Sequence, residues 1–265
     1  MTTLSLKGRV SWRLGAQLLV VMLCALSLKL YYSTAGPDQL RWILAPTTFL
    51  VELVSGSQFE FEARAGYMSG NHRFLIAASC AGVNFLVTSF LMLSLRKLWR
   101  DRSRTLSWRF IPVAAVVAFV ATLVANTVRI SLALKLQQTP LEISWLNANQ
   151  LHRFEGIFVY FGFLLLLFVL SEKLASRAAS DLWRLSLSPL MIYYAVALGM
   201  PLANGGYKQG VMFWEHSLFV LLIPIPLVLL LAAPRLYRLT RDRISSIARQ
   251  RVGFGRDSQS STILG

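Results

Sequence analysis

The chain has 265 residues, 55% of them hydrophobic and 15% charged, with a net charge of +15. A soluble domain carries about a quarter of its residues as charges and intersperses them. Here the charges are clumped between long apolar runs, which excludes a large soluble core and points to a membrane. The basic excess does not read as nucleic-acid binding, because no aromatic-interleaved basic stretch suited to bases occurs. Most lysines and arginines flank apolar runs, where lipid headgroups and the positive-inside rule account for them.

In chain order, Lys7, Arg9 and Arg13 precede a first apolar span, Leu14 to Tyr32. A basic lead followed by small residues, Ser33 to Gly36, also fits a signal peptide, but the run is long enough to cross a membrane by itself. Cys24, inside it, reads as a small packed residue. Residues 40–56 are apolar but broken by Pro46 and Glu52, and fall short of the roughly 20 residues a spanning helix needs. They predict an interfacial or re-entrant helix at about 37–56. Residues 57–72 follow as a Gly- and Ser-containing loop with Glu60, Glu62, Arg64 and His72. Further spans are expected at Phe74 to Leu95, Phe110 to Leu134, His152 to Leu170, Pro189 to Ala203 and Val211 to Ala233, the last kinked by Pro224 and Pro226. The fold class that follows is all-α, a bundle of about six spanning helices plus the shorter one. It occupies residues 1–244 as one transmembrane domain, and 245–265 form a polar, disordered tail.

Lysine and arginine set the orientation. Arg96, Lys97, Arg100, Arg102, Arg104 and Arg109 lie between the second and third spans, and Lys173, Arg177 and Arg184 between the fourth and fifth. Arginines recur through the tail from Arg235 to Arg256. These segments and the basic amino terminus alternate with loops poor in positive charge, so both termini are expected in the cytoplasm.

Ionisable or nucleophilic groups inside spans cost roughly 3 kcal/mol or more when charged near the centre, and so mark function. Cys80 lies in the outer part of the second span. Either the helix starts near Asn71 and Cys80 is two turns in, or Ser79 caps a helix beginning at Cys80, which favours the thiolate. Arg129 sits about five residues from the outer end of the third span, with Asn126 on the same face. No carboxylate lies within a turn of it. His152 opens the fourth span beside Arg153 and Glu155. The topology converges a thiol, a guanidinium and an imidazole on the outer leaflet, a set sufficient for acyl transfer. Taken one at a time, each also has a plain reading: a packed thiol, a snorkelling arginine, an interfacial histidine. His72, Glu215 and His216 read as interfacial.

The segments Ser79-Cys80-Ala81-Gly82-Val83-Asn84, Ala125-Asn126-Thr127-Val128-Arg129-Ile130 and His152-Arg153-Phe154-Glu155-Gly156 resemble the three signature blocks of the exosortase/archaeosortase family of membrane-embedded cysteine transpeptidases. The order Cys, Arg, His on separate helices is the bacterial exosortase pattern; archaeal members generally carry a second Arg in the third place. The wording LHRFEGI is similar to the subtype called exosortase K. The resemblance covers about residues 70–175 and leaves the last two spans and the basic tail outside.

The resemblance implies a cysteine-type peptidase and transpeptidase in the bacterial cytoplasmic membrane, with its site toward the outside. Its partners would be exported proteins ending in a short motif, an apolar helix and a basic cluster, with a surface polysaccharide or lipid as acceptor, besides the membrane lipids themselves. Cys80 would be the nucleophile, His152 the proton shuttle and Arg129 the oxyanion or thiolate stabiliser. Asn84 and Asn126 would orient them and Glu155 would hold His152. No nucleic acid and no cofactor is expected: the three histidines lack HxxxH or Cys-pair spacing for zinc. The competing reading is a non-enzymatic scaffold or transport component for surface polysaccharide assembly, in which Cys80 would be freely replaceable. A transporter also wants paired broken helices or midplane charges, which the spans lack.

Overall fold

A computed structural model describes residues 2–100, 107–138, 148–175, 187–203, 205–233 and 237. The tail 245–265 and the stretches 101–106, 139–147 and 176–186 lie outside the described residues. The described chain is mostly helical. In order come α1 (Thr2–Thr34), α2 (Arg41–Ser55), β1 (Phe59–Glu62), β2 (Gly66–Ser69), β3 (Leu75–Ile76), a 3-10 turn (Ala78–Cys80), α3 (Val83–Arg100), α4 (Phe110–Gln138) and α5 (Ala148–Leu174). Then α6 (Leu187–Tyr194) runs through a π-helical stretch (Ala195–Gly199) into a last turn (Met200–Ala203). Finally α7 (Val211–Leu222) continues as helix over 224–233.

Five of the described helices are long and apolar enough to cross a membrane, the architecture of a multi-pass membrane protein. They are Trp12–Thr34, Ala78–Arg100, Phe110–Gln137, Gln150–Leu174 and Phe213–Ala233. The helix expected at Pro189 to Ala203 forms as Leu187–Leu202, shorter than these five. Its π-helical stretch widens the backbone locally, a feature that recurs at functional sites.

Several expectations are corrected. Residues 57–72 are not a plain loop: β1, β2 and β3 form a three-stranded antiparallel sheet, with Phe59 opposite Ser69 and Tyr67 opposite Ile76. Alternation of apolar and acidic residues in Phe59-Glu60-Phe61-Glu62 drives it, because the aromatic face packs while the carboxylates stay out. Phe59 meets Phe74 edge-on at 6.5 Å, and Phe61 meets Tyr67 at 5.1 Å. Gly66 has φ +128°, and a Cβ there would lie 2.4 Å from the Ile76 carbonyl oxygen, so the strands close only over glycine.

α2 lies along α4 rather than across the bundle end. Trp42 near its start stacks on Phe119 at 5.9 Å, and Gly56 just past its end shares a cavity wall with Leu134 and Gln137. Glu52, which breaks the apolar run, accepts the Phe59 backbone N–H at 2.8 Å and so ties α2 to the sheet.

The second span begins later than either start considered for it. Gly82 (φ +71°) receives the Phe85 and Leu86 N–H groups at 2.9 and 3.0 Å, and α3 starts at Val83. α3 runs on to Arg100, so Arg96, Lys97 and Arg100 are helical rather than loop residues. α5 begins at Ala148, which puts His152 one turn inside rather than at the opening. Cys24 does not pack in the core; it faces outward from α1 with Leu23 and Leu26.

Candidate active site

The site forms where α1, α3, α4 and α5 meet, at the end of the bundle that carries the sheet. Cys80 closes the 3-10 turn, its N–H bonded to the Ala77 carbonyl at 2.8 Å. It is therefore held on a tight turn ahead of the helix rather than on the helix. Its carbonyl accepts the Asn126 side-chain N–H at 2.6 Å. Asn126 is fully buried, and its own carbonyl oxygen accepts the Tyr160 hydroxyl at 2.8 Å. Arg129 Nη1 donates to the same hydroxyl at 3.2 Å, and Arg129 Nη2 stands 3.4 Å from His152 Nε2. His152 Nδ1 is 3.4 Å from Glu155 Oε2. One polar path thus runs from the Cys80 turn through Asn126, Tyr160 and Arg129 to His152, with Glu155 beyond it, joining the turn to two helices, α4 and α5.

The direction of this path follows from chemistry. A guanidinium only donates, so Nε2 accepts from Arg129 when His152 is the neutral tautomer protonated on Nδ1, the nitrogen on the side of Glu155. Tyr160 is fixed from its other side by a stack on Phe85 at 5.3 Å.

Two glycines make the approach feasible. A Cβ on Gly82 would lie 3.2 Å from Thr122 Cγ2 and 3.3 Å from both Asn126 Cγ and the Tyr160 hydroxyl, besides straining a left-handed backbone. A Cβ on Gly156 would lie 3.1 Å from Arg129 Nε, so the guanidinium rests on the bare backbone of α5.

Beside the network is a cavity of about 310 Å³. Arg129, His152 and Tyr160 line it, with Ser79 and Asn84 from the Cys80 side and Val196 and Ala197 from the π-helical stretch. Cys80 borders it through Ser79 rather than contributing to its lining. Comparison with models of protein families, with curated proteins and with solved structures finds no match to this chain.

All six residues singled out from sequence are at this end. Cys80, Asn126, Arg129, His152 and Glu155 belong to one path. Asn84 does not join it: its side chain accepts from Lys29 Nζ of α1, on the cavity wall. His216 and Glu215, expected to be interfacial, both lie at this end. His216 lines the cavity, and Glu215 accepts from Gln150 at 2.6 Å and pairs with Arg153 at 3.7 Å. His72 is exposed, in the turn between β2 and β3. Tyr160 and Lys29 went unnoticed in the sequence. Lys29 left a signal, a cation inside an apolar span; Tyr160, within Phe158-Val159-Tyr160-Phe161, left none. Among the described residues no group of three or more His, Cys, Asp or Glu side chains could hold a metal ion.

Proposed function

We propose that the chain is a membrane-embedded cysteine transpeptidase of the exosortase type, which cleaves carboxyl-terminal sorting signals of exported proteins and passes the acyl group to a surface acceptor. The observation that carries this reading is the run of polar contacts from the Cys80 turn through Asn126, Tyr160 and Arg129 to His152, with the Glu155 carboxylate 3.4 Å from its ring. A scaffold has no need to join a cysteine-bearing turn, a guanidinium and an imidazole in one network beside a cavity.

In this reading the Cys80 thiol gives its proton to His152 Nε2, and the thiolate attacks the scissile carbonyl carbon. The C–S bond forms as the carbonyl π pair moves to oxygen, where Arg129 stabilises the negative charge. Collapse restores the carbonyl and breaks the C–N bond, and the leaving amine takes the proton from His152. A hydroxyl or amine of the acceptor then attacks the thioester, giving its proton to His152 Nε2; the C–S bond breaks, Cys80 leaves as thiolate, and it takes that proton back from the imidazolium. Glu155 holds the imidazole and Asn126 holds the turn.

We also take the short helix Leu187–Leu202 as a sixth crossing. Both termini are then cytoplasmic, and the site faces outward across the bacterial cytoplasmic membrane.

The test is co-expression with an exported protein from the same genome whose tail carries a short motif, an apolar helix and an arginine cluster. Tail removal, read as a shift in mass, should stop in Cys80→Ala and Cys80→Ser and continue in Cys24→Ala, which alters only an outward-facing thiol. Full processing by Cys80→Ala sinks the enzyme reading and leaves the scaffold.

A further inference from the structure

Apart from Arg13 at its start, Lys29 is the only charged side chain of the first span, Trp12–Thr34. A cation at that depth is costly and marks function. Its side chain is half-buried and turns into the bundle. The ammonium donates to Asn84 Oδ1 at the start of α3, lies 5.6 Å over the Tyr32 ring, and lines the 310 Å³ cavity with Ser79.

This charge is the unmatched one of the cavity. Three permanent cations line the wall, Lys29, Arg129 and Arg153. Arg153 pairs with Glu215 at 3.7 Å. Arg129 rests on Gly156, directly after the buried Glu155, where a Cβ would lie 3.1 Å from its Nε. Lys29 has no carboxylate partner among the described residues: it meets an amide oxygen and a phenol ring, both neutral. Three positive charges against the two of Glu155 and Glu215 leave one. An ammonium also has three donors, and Asn84 takes only one of them.

We propose that Lys29 binds the carboxylate of an acidic side chain of the protein substrate and so sets specificity at the Cys80 site. The surplus is a single charge, which one carboxylate balances. Ser79 shares the cavity with Lys29 and directly precedes Cys80, so the acidic residue lies near the bond that the thiol attacks. A phosphate is best held by the bidentate fork of an arginine, and both arginines of the wall are engaged, by Tyr160 and His152 and by Glu215. Asn84, left off the polar path, holds the ammonium in place. The proposal rests on reading the chain as a cysteine peptidase.

The first arm of the test needs no substrate. In the full chain carrying Cys24→Ala, Cys80→Ala and Ser79→Cys, the thiol at the exposed, cavity-lining position 79 is treated with anionic sulfonatoethyl or cationic trimethylammonioethyl methanethiosulfonate. A unit charge about 4 Å away changes the local concentration of a monovalent ion about fivefold even at the dielectric constant of water. The two reagents respond with opposite signs, so Lys29→Gln should lower the anionic-to-cationic rate ratio about 25-fold. Lys29→Arg, which keeps the charge, should hold the ratio, and uncharged methyl methanethiosulfonate should react equally in all three chains, as an intact cavity requires. The second arm is tail removal from an exported protein in its native form and with the acidic residues near its cleavage point changed to amides. Lys29→Gln should slow removal of the native tail about tenfold, the range for losing a hydrogen bond to a charged group. It should leave the amide form at its already slow rate, because both changes remove one interaction. An unchanged rate ratio, native tail removal at the wild-type rate in Lys29→Gln, or a processed tail with no acid near its cleavage point would each overturn the proposal. So would an equal loss on both tails, which would move the anion to the acceptor. Processing by Cys80→Ala sinks the peptidase reading instead, and the reagent rates separate the two failures.

Discussion

Arg129 makes its contacts as a fork: Nη1 on the Tyr160 hydroxyl and Nη2 toward His152. A lysine presents one point charge and cannot reach both partners. Tyr160→Phe removes the hydroxyl that joins Arg129 to Asn126 while keeping the ring stacked on Phe85. Because both side chains serve one path, their losses should not add. Arg129→Lys is expected to lower turnover about 100- to 1000-fold, the range for losing one oxyanion donor. Tyr160→Phe should cost about tenfold or more, and the double variant should be little worse than Arg129→Lys alone. Turnover of the membrane-bound variants at matched expression checks this; near-wild-type activity of Arg129→Lys would reduce the arginine to a snorkelling anchor. Cys80, Arg129 and His152 were legible in the sequence because each is a reactive or charged group in an apolar run. The tyrosine joining them was not, because a lone hydroxyl among phenylalanines carries no periodic or charge signal.

Elements were legible in proportion to their length. The five long apolar helices declare themselves through runs that no short strand could match, whereas β1 and β2 are four residues each and hide inside a stretch rich in turn formers. The start of α3 could not be decided from residue types, because either Asn71 or Ser79 could open a helix. The left-handed Gly82 decides it, and that depends on Asn126 and Tyr160 pressing from other helices. Gly156 offers a test at this scale. Alanine in mid-helix favours α5 by about 1 kcal/mol, yet its methyl group would meet Arg129 Nε at 3.1 Å. Gly156→Ala should therefore keep or raise the melting temperature and lower turnover about tenfold by displacing the guanidinium. A variant that loses both together would assign Gly156 to packing alone.

At the scale of the whole molecule, the two ends differ in charge as well as chemistry. Arg96, Lys97, Arg100 and Lys173 gather at one around the buried Glu172, while the end with the sheet mixes Asp38, Glu52, Glu60 and Glu62 with Arg41, Arg64 and Arg73. α5 connects the two: from His152 to Lys173 it rises about 31 Å at 1.5 Å per residue, close to the hydrocarbon thickness of a bilayer. His152 and Lys173 then lie near opposite faces, and the proposed orientation puts Lys173 in the cytoplasm and the Cys80 site outside. Single cysteines test this in a chain carrying Cys24→Ala and Cys80→Ala. Ala63, exposed in the turn between β1 and β2, reports the site end, and Lys173, exposed beside Glu172, reports the other. A membrane-impermeant maleimide applied to intact cells should label Ala63→Cys at once and Lys173→Cys only after permeabilisation. The reverse pattern would turn the molecule over and place the thiol in the cytoplasm, where exported proteins do not present their processed tails. The transpeptidase reading would then fail on topology even with every distance in the site unchanged.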